Sequence, residues 1–260
     1  MRLTLVTLLG LIFLAGCEET ETPISEPLTL EEQLREVMQM PLAKGTGKVV
    51  RTISYCCEPQ RPFAIVDTYY PVGGDVSYLV QKSPEGDTLQ ISLQYYKEGN
   101  LQSRHSFRYR NGMLPELIST NEYIYDSRGN LVEWYSIPAE GLRSLVASYL
   151  YDAKGRLTSI VSPAGNGVEE LRYAYDEEGR IMGEWRLIKT EEEYELGYMF
   201  YRYEGELLVA KEATKDGKLE GPRQDQFRYV YDGQGRLVAQ YEFDPYFFFQ
   251  LKNYAEFFYE

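Results

Sequence analysis

Residues Tyr149–Leu157 read "YLYDAKGRL", and the same skeleton returns as "YIYDSRGNL" from Tyr123, "YAYDEEGRI" from Tyr173 and "YVYDGQGRL" from Tyr229. Aspartate at the first position of a tight turn accepts a hydrogen bond from the backbone two residues on. Glycine three residues later supplies the positive φ that returns the chain to a strand. The pairs Asp126 and Gly129, Asp152 and Gly155, Asp176 and Gly179, and Asp232 and Gly235 therefore read as structural turns. The flanking residues alternate. Leu171, Tyr173 and Tyr175 share one face of a strand, and Ile181, Gly183, Trp185 and Leu187 share one face of the next. Period-two alternation on both sides of a turn is a β-hairpin.

Shorter versions surround these four. "YYKEGNL" from Tyr95 and "YRYEGELL" from Tyr201 have clipped turns, and "FRYRNGML" places Asn111-Gly112, a two-residue hairpin signal, between strands. Glycines 129, 155, 179, 205 and 235 recur at intervals of 24 to 30 residues. Such a period marks an architecture in which neighbouring hairpins bury one another's faces. The expected fold is all-β: an antiparallel hairpin meander of about 12–16 strands, curled, spiral or split into two layers because so many twisted strands do not stay flat.

The skeleton Y-x-Y-D-x-x-G-R-L resembles the YD repeat of the Rhs family from Tyr123 to about Phe243, with decayed copies back to about Tyr78. The clipped copies also resemble MORN-like variant repeats. The resemblance implies a long antiparallel sheet, which in the Rhs family can spiral into a shell around a toxin. This chain has too few repeats for that. "YEFDPYFFF", with Asp244-Pro245, also lacks the family's processing signature, so encapsulation does not transfer.

The N-terminus supplies an address. Arg2 precedes an apolar run, Leu3–Leu14, too short to span a bilayer and suited to a signal peptide. It ends in "LAGC", Leu14–Cys17, which resembles a bacterial lipobox and implies cleavage before Cys17 and its acylation. Glu18 replaces the aspartate of inner-membrane retention. The expectation is an outer-membrane lipoprotein of the cell envelope, periplasmic or surface-exposed. Its parts are a signal peptide (1–16), an acidic tether with one short helix (17–45) and a β domain (46–260). In "TLEEQLREVMQM", Thr29 and Glu32 form a capping box, and Leu30, Leu34, Val37 and Met38 line one helical face.

Chemistry is sparse. A net charge of −13 argues against a nucleic-acid partner. Cys56 and Cys57 are adjacent and lack histidine neighbours, so they read as a buried thiol pair, with a vicinal or intermolecular disulfide as the alternatives, rather than a zinc site, and the single histidine is His105. No nucleophile elbow, phosphate loop or catalytic triad is legible, and no cofactor or metal is expected. Two functions are expected to compete. One is a non-enzymatic envelope protein binding a protein or glycan through its sheet, with Trp134 and Trp185 as candidate contacts on opposite faces. The other is a glycan hydrolase with an unidentified carboxylate pair. An aromatic stripe on the concave face would favour the first. Charges such as Arg172, Glu184 and Arg186, expected on outer faces, argue against a transmembrane barrel.

Overall fold

A computed structural model describes residues 29–40, 48–56, 62–110, 113–190, 193–214, 219–244 and 250–259. Cys17, the tether, Asn111, Gly112, Cys57 and the side chain of Cys56 lie outside what is described. The chain begins with helix α1 (Leu30–Gln39) and continues as strands β1 (Val49–Cys56), β2 (Pro62–Tyr69), β3 (Val76–Lys82), β4 (Thr88–Lys97), β5 (Asn100–Arg108) and β6 (Glu116–Tyr125). Then come β7 (Leu131–Pro138), β8 (Ser144–Tyr151), β9 (Leu157–Ala164), β10 (Gly167–Tyr175) and β11 (Ile181–Lys189). The series ends with β12 (Glu193–Glu204), β13 (Leu207–Thr214), β14 (Arg223–Tyr231), β15 (Leu237–Asp244) and β16 (Gln250–Tyr259). Every strand pairs antiparallel with its sequence neighbour, and β1 pairs with β16 from Val49↔Tyr259 to Cys56↔Asn253.

The sheet is therefore a closed barrel, not the open, spiral or two-layered sheet that the sequence suggests. Either end of an open meander would present a row of unpaired amides and carbonyls, and closure removes both edges. A second correction concerns the β5–β6 connection. β5 stops at Arg108 and β6 starts at Glu116, so it is not a two-residue hairpin at Asn111-Gly112.

Directly paired residues in antiparallel strands share a face, so the register assigns faces around the whole ring. Ser77, Gln94, Arg104 and Asn121 pair in succession, and Tyr123, Trp134 and Ala147 continue on that face. It is the inner face. Apolar side chains one residue in from a strand end that reach solvent, Phe63, Ile124, Leu150, Val230 and Phe258, alternate onto the other one. Tyrosines two strands apart also feel one another's charge on this face: Tyr123 with Tyr149, Tyr149 with Tyr173, and Tyr201 with both Tyr173 and Tyr229. Side chains converge in that way on a concave wall.

The buried hydrophobic cluster lies outside the ring. Leu34 and Val37 of α1 pack on Tyr78, Val80, Ile91, Leu93 and Phe107 of β3–β5, and Tyr95 donates its hydroxyl to Gln33 Oε1 at 2.7 Å. Burying Leu34 and Val37 contributes about 1.5–3 kcal/mol each. On the inner wall Tyr123, Trp134, Tyr149, Tyr173, Tyr201 and Tyr229 are only half-buried. A ring of this strand number is wide enough to leave an aqueous interior.

The candidate functional site: an inner wall of tyrosines

The repeat's local chemistry builds the wall. In the second repeat Asp152 Oδ1 accepts from the amides of Lys154 and Arg156, both at 2.9 Å, and the Gly155 amide donates to the Asp152 carbonyl at 2.9 Å. Gly155 has φ of 80°, and Gly129, Gly179 and Gly235 lie at 82°, 85° and 76°. The same turn recurs at Asp126, Asp176 and Asp232. Each carboxylate is held below its ordinary pKa: at Asp152 and Asp232 chiefly by backbone amides, at Asp126 by Asn130, and at Asp176 by Arg180 against the opposing pull of burial. All four turns use their carboxylates structurally.

The arginine of the motif has a role that sequence reasoning missed. Arg156 Nε donates to Asp152 Oδ2 at 2.7 Å while its guanidinium lies over the Tyr175 ring of the next repeat, 4.7 Å from the centroid. Arg180 bridges Asp176 and Tyr203, and Arg236 bridges Asp232 and Tyr259, in the same way. The second tyrosine of the motif, whether or not an arginine covers it, donates its hydroxyl back to the residue after the earlier turn: Tyr151 to the Leu131 carbonyl at 2.8 Å, Tyr175 to Leu157 at 2.6 Å, Tyr203 to Ile181 at 3.1 Å. Tyr125, Tyr231 and Tyr259 reach Leu101, Leu208 and Leu237 likewise. After each turn the partner strand skips one residue, as at Met182, where Ala174 faces Gly183 but Tyr175 faces Ile181. Ile181 consequently does not share the face of Gly183, Trp185 and Leu187.

Both tyrosines of Y-x-Y thus point inward. The second forms a tier at the turn end of the barrel. The first lines the wall a step deeper, on every second strand from β6 to β14. Burial, and then the Glu184 charge, push Tyr173 and Tyr229 up to about 12. Burial and a hydrogen bond to Glu184 raise Tyr201 further. At neutral pH this deeper row consists of uncharged rings with hydroxyls.

The polar groups among them divide by region. Lys211 lies 3.5 Å from Glu184 and 4.5 Å from the Tyr201 centroid, so Glu184 is paired. Glu169 and Glu242 are held by Arg186 and Lys252. Trp134 stacks on Tyr123, with centroids 6.1 Å apart, and donates its indole N–H to Asn121 at 3.0 Å. Trp185, opposite Arg172 and next to Glu184 in β11, points outward. Of the three charges expected outside, only Arg172 is; Glu184 and Arg186 face inward. The outer wall nonetheless has its own charges. Arg51 and Lys82 bind Asp67 at 2.6 and 2.8 Å, and Arg172 and Lys189 hold Glu170 down to about 2. Among the described residues no group of three or more histidines, cysteines or acids gathers to hold a metal, and no helix is long and apolar enough to cross a membrane.

Fold and wall together define a closed barrel of YD hairpins, and sequence comparison gives the repeat its name. Residues 125–166 and 151–184 match the family model of the RHS repeat. No curated protein matches the chain. Among solved structures the chain is similar to the Photorhabdus luminescens Tc holotoxin pore, at 13% identity and TM-score 0.33, over 70% of this chain and 13% of that one. It is similar to TcdB2–TccC3 without its hypervariable C-terminal region, at 13% identity and TM-score 0.32, over 75% and 15%. A porin-like protein from Bacteroides uniformis aligns over 85% of this chain and 100% of its own, at 8% identity and TM-score 0.39. The chain thus spans well under two thirds of the two toxin chains.

Proposed function

We propose that the chain is a lipid-anchored protein of the bacterial cell envelope, held at the outer membrane through Cys17, that binds a saccharide on its inner wall without turning it over. The observation that carries this reading is the deeper row of tyrosines, Tyr123, Tyr149, Tyr173, Tyr201 and Tyr229, with Trp134 stacked on Tyr123. Flat, uncharged rings that present hydroxyls suit the apolar faces and hydroxyl rims of sugars. A hydrolase needs two free carboxyl groups across a scissile bond. On the described inner wall Glu169, Glu184 and Glu242 are each engaged by a cation. Charged groups at mid-strand on the outer wall, such as Asp67, Glu170 and Arg172, suit water rather than lipid, which leaves attachment to the anchor.

The test is a screen of the full chain against envelope glycans, with Trp134→Ala and Trp185→Ala alongside. Loss of binding in Trp134→Ala at an unchanged melting temperature is expected, with Trp185→Ala retaining it. Binding that survives both substitutions sinks the inner-wall reading. Shortened saccharide products in the same assay would instead select the hydrolase. Capture of a protein that Trp134→Ala leaves intact would move recognition to the outer wall.

A further inference from the structure

Arg104 is a charge on the inner wall that has no counter-ion among the described residues. It projects from β5 on the inner face, paired across β6 with Asn121 and across β4 with Gln94. Its Nη2 donates to Ser92 at 3.2 Å, and Ser92 in turn contacts Ser106 at 3.3 Å. Its Nε is shielded from solvent without any hydrogen-bond partner among the described residues. No described carboxylate forms an ion pair with it, whereas Glu169, Glu184 and Glu242 each have a cation. A guanidinium taken partly out of water and left without an anion is costly, and serine hydroxyls do not neutralise it.

Its neighbours make this more than an electrostatic curiosity. Asn121, directly opposite Arg104, accepts the Trp134 indole N–H, so the indole leans toward the arginine. The Arg104 charge in turn favours the ionised form of Tyr123, the ring on which Trp134 stacks, against the upward push of burial on that tyrosine. The cation, the amide and the two stacked rings form one continuous patch over β5, β6 and β7.

We infer that this patch is the recognition subsite for an oxyanion-bearing saccharide. Arg104 takes the carboxylate of a uronic acid or a sugar phosphate, and the Trp134–Tyr123 pair takes the adjoining ring. The guanidinium fork matches either oxyanion, and the aromatic pair fits a sugar beside it. The inference rests on the saccharide reading above and specifies which saccharides the wall selects. The chain's net charge of −13 opposes anionic ligands in general, so a preference for one has to come from this local cation.

The experiment uses the full chain carrying Trp185→Phe, so that Trp134 is its sole tryptophan reporter. Four probes are titrated: galacturonic acid tetrasaccharide against the neutral galactose tetrasaccharide, and galactose 6-phosphate against galactose. An acidic probe is expected to bind about tenfold more tightly than its neutral counterpart, the scale of one charge-assisted hydrogen bond. That ratio should shrink as salt is raised. Arg104→Gln should bring the ratio to about one, and Arg104→Lys should keep part of it, both with the parent's melting temperature. A preference confined to the uronate pair or to the phosphate pair assigns the oxyanion and supports the subsite. Equal affinities for acidic and neutral probes in the parent overturn the subsite while leaving saccharide binding intact, and so does a preference that survives Arg104→Gln. Absence of any Trp134 response to all four probes overturns both readings.

Discussion

The Tyr175 hydroxyl donates to the Leu157 carbonyl at 2.6 Å, and so ties one repeat to the turn of the repeat before it. The bond lies beneath Arg156, which pairs with Asp152 and stacks on the Tyr175 ring. Tyrosine, aspartate, arginine and the aliphatic residue after the turn thus act as one device across two hairpins. Tyr175→Phe keeps the ring and removes the donor, so it should cost about 0.5–1.5 kcal/mol. A chemical denaturation midpoint equal to that of the parent would show that the staple contributes nothing.

The turn itself gives a sharper contrast. A Cβ at Gly155 meets nothing within 4 Å, so the effect of a side chain there is backbone strain at a φ of 80°. Gly155→Val should destabilise by about 1–3 kcal/mol. Asp152→Asn still accepts from the Lys154 and Arg156 amides and should shift the melting temperature far less. Equal shifts in the two variants would refute this account of the turn.

These turns were legible in sequence because their chemistry is local: Asp152 and Gly155 act within five residues. The staple was not, because the partner of Tyr175 is fixed by the register between hairpins. Closure was invisible for the same reason, since Val49 meets Tyr259 across nearly the whole chain. The inner and outer assignments of Glu184 and Arg186 went astray for a different reason. Their neighbours Trp185 and Leu187 look like core, but in a ring this wide the interior is wet and aromatic-polar, so local hydrophobicity does not identify the inside.

Close packing predicts a different failure at Gly167, the first residue of β10. A Cβ there would lie 2.1 Å from the Lys189 carbonyl oxygen and 2.9 Å from the Thr190 methyl. Gly167→Ala must push β10 away from the end of β11, and should lower the melting temperature more than Gly233→Ala, where a Cβ meets nothing. Equal melting temperatures for the two variants would contradict this packing.

For the anchor, Cys17→Ser should abolish incorporation of a fatty-acid probe and release the protein from the membrane fraction. Buried acyl chains contribute about 0.8 kcal/mol per methylene. Undiminished label in the serine variant would remove the lipoprotein assignment.

Acid should weaken the fold in two separate windows. His105 contacts Thr120 at 2.9 Å and Ser103 at 3.2 Å, with the Tyr95 ring against its edge; burial lowers its pKa from 6.5, and only Glu122 pulls the other way. The unfolded chain therefore binds the proton more readily. The stability that comes from keeping His105 neutral is complete above pH 6.5 and falls as the pH drops below it. Glu170 is held at about 2, against an ordinary value of 4.5, by Arg172, Lys189 and Ser159, so its contribution is complete above 4.5 and is lost toward pH 2. Denaturation midpoints measured from pH 7.5 to 3 should show the first decline vanish in His105→Gln and the second flatten in Glu170→Gln. If the His105→Gln midpoint still falls between pH 6.5 and 5 as the parent's does, the histidine is not the group responsible.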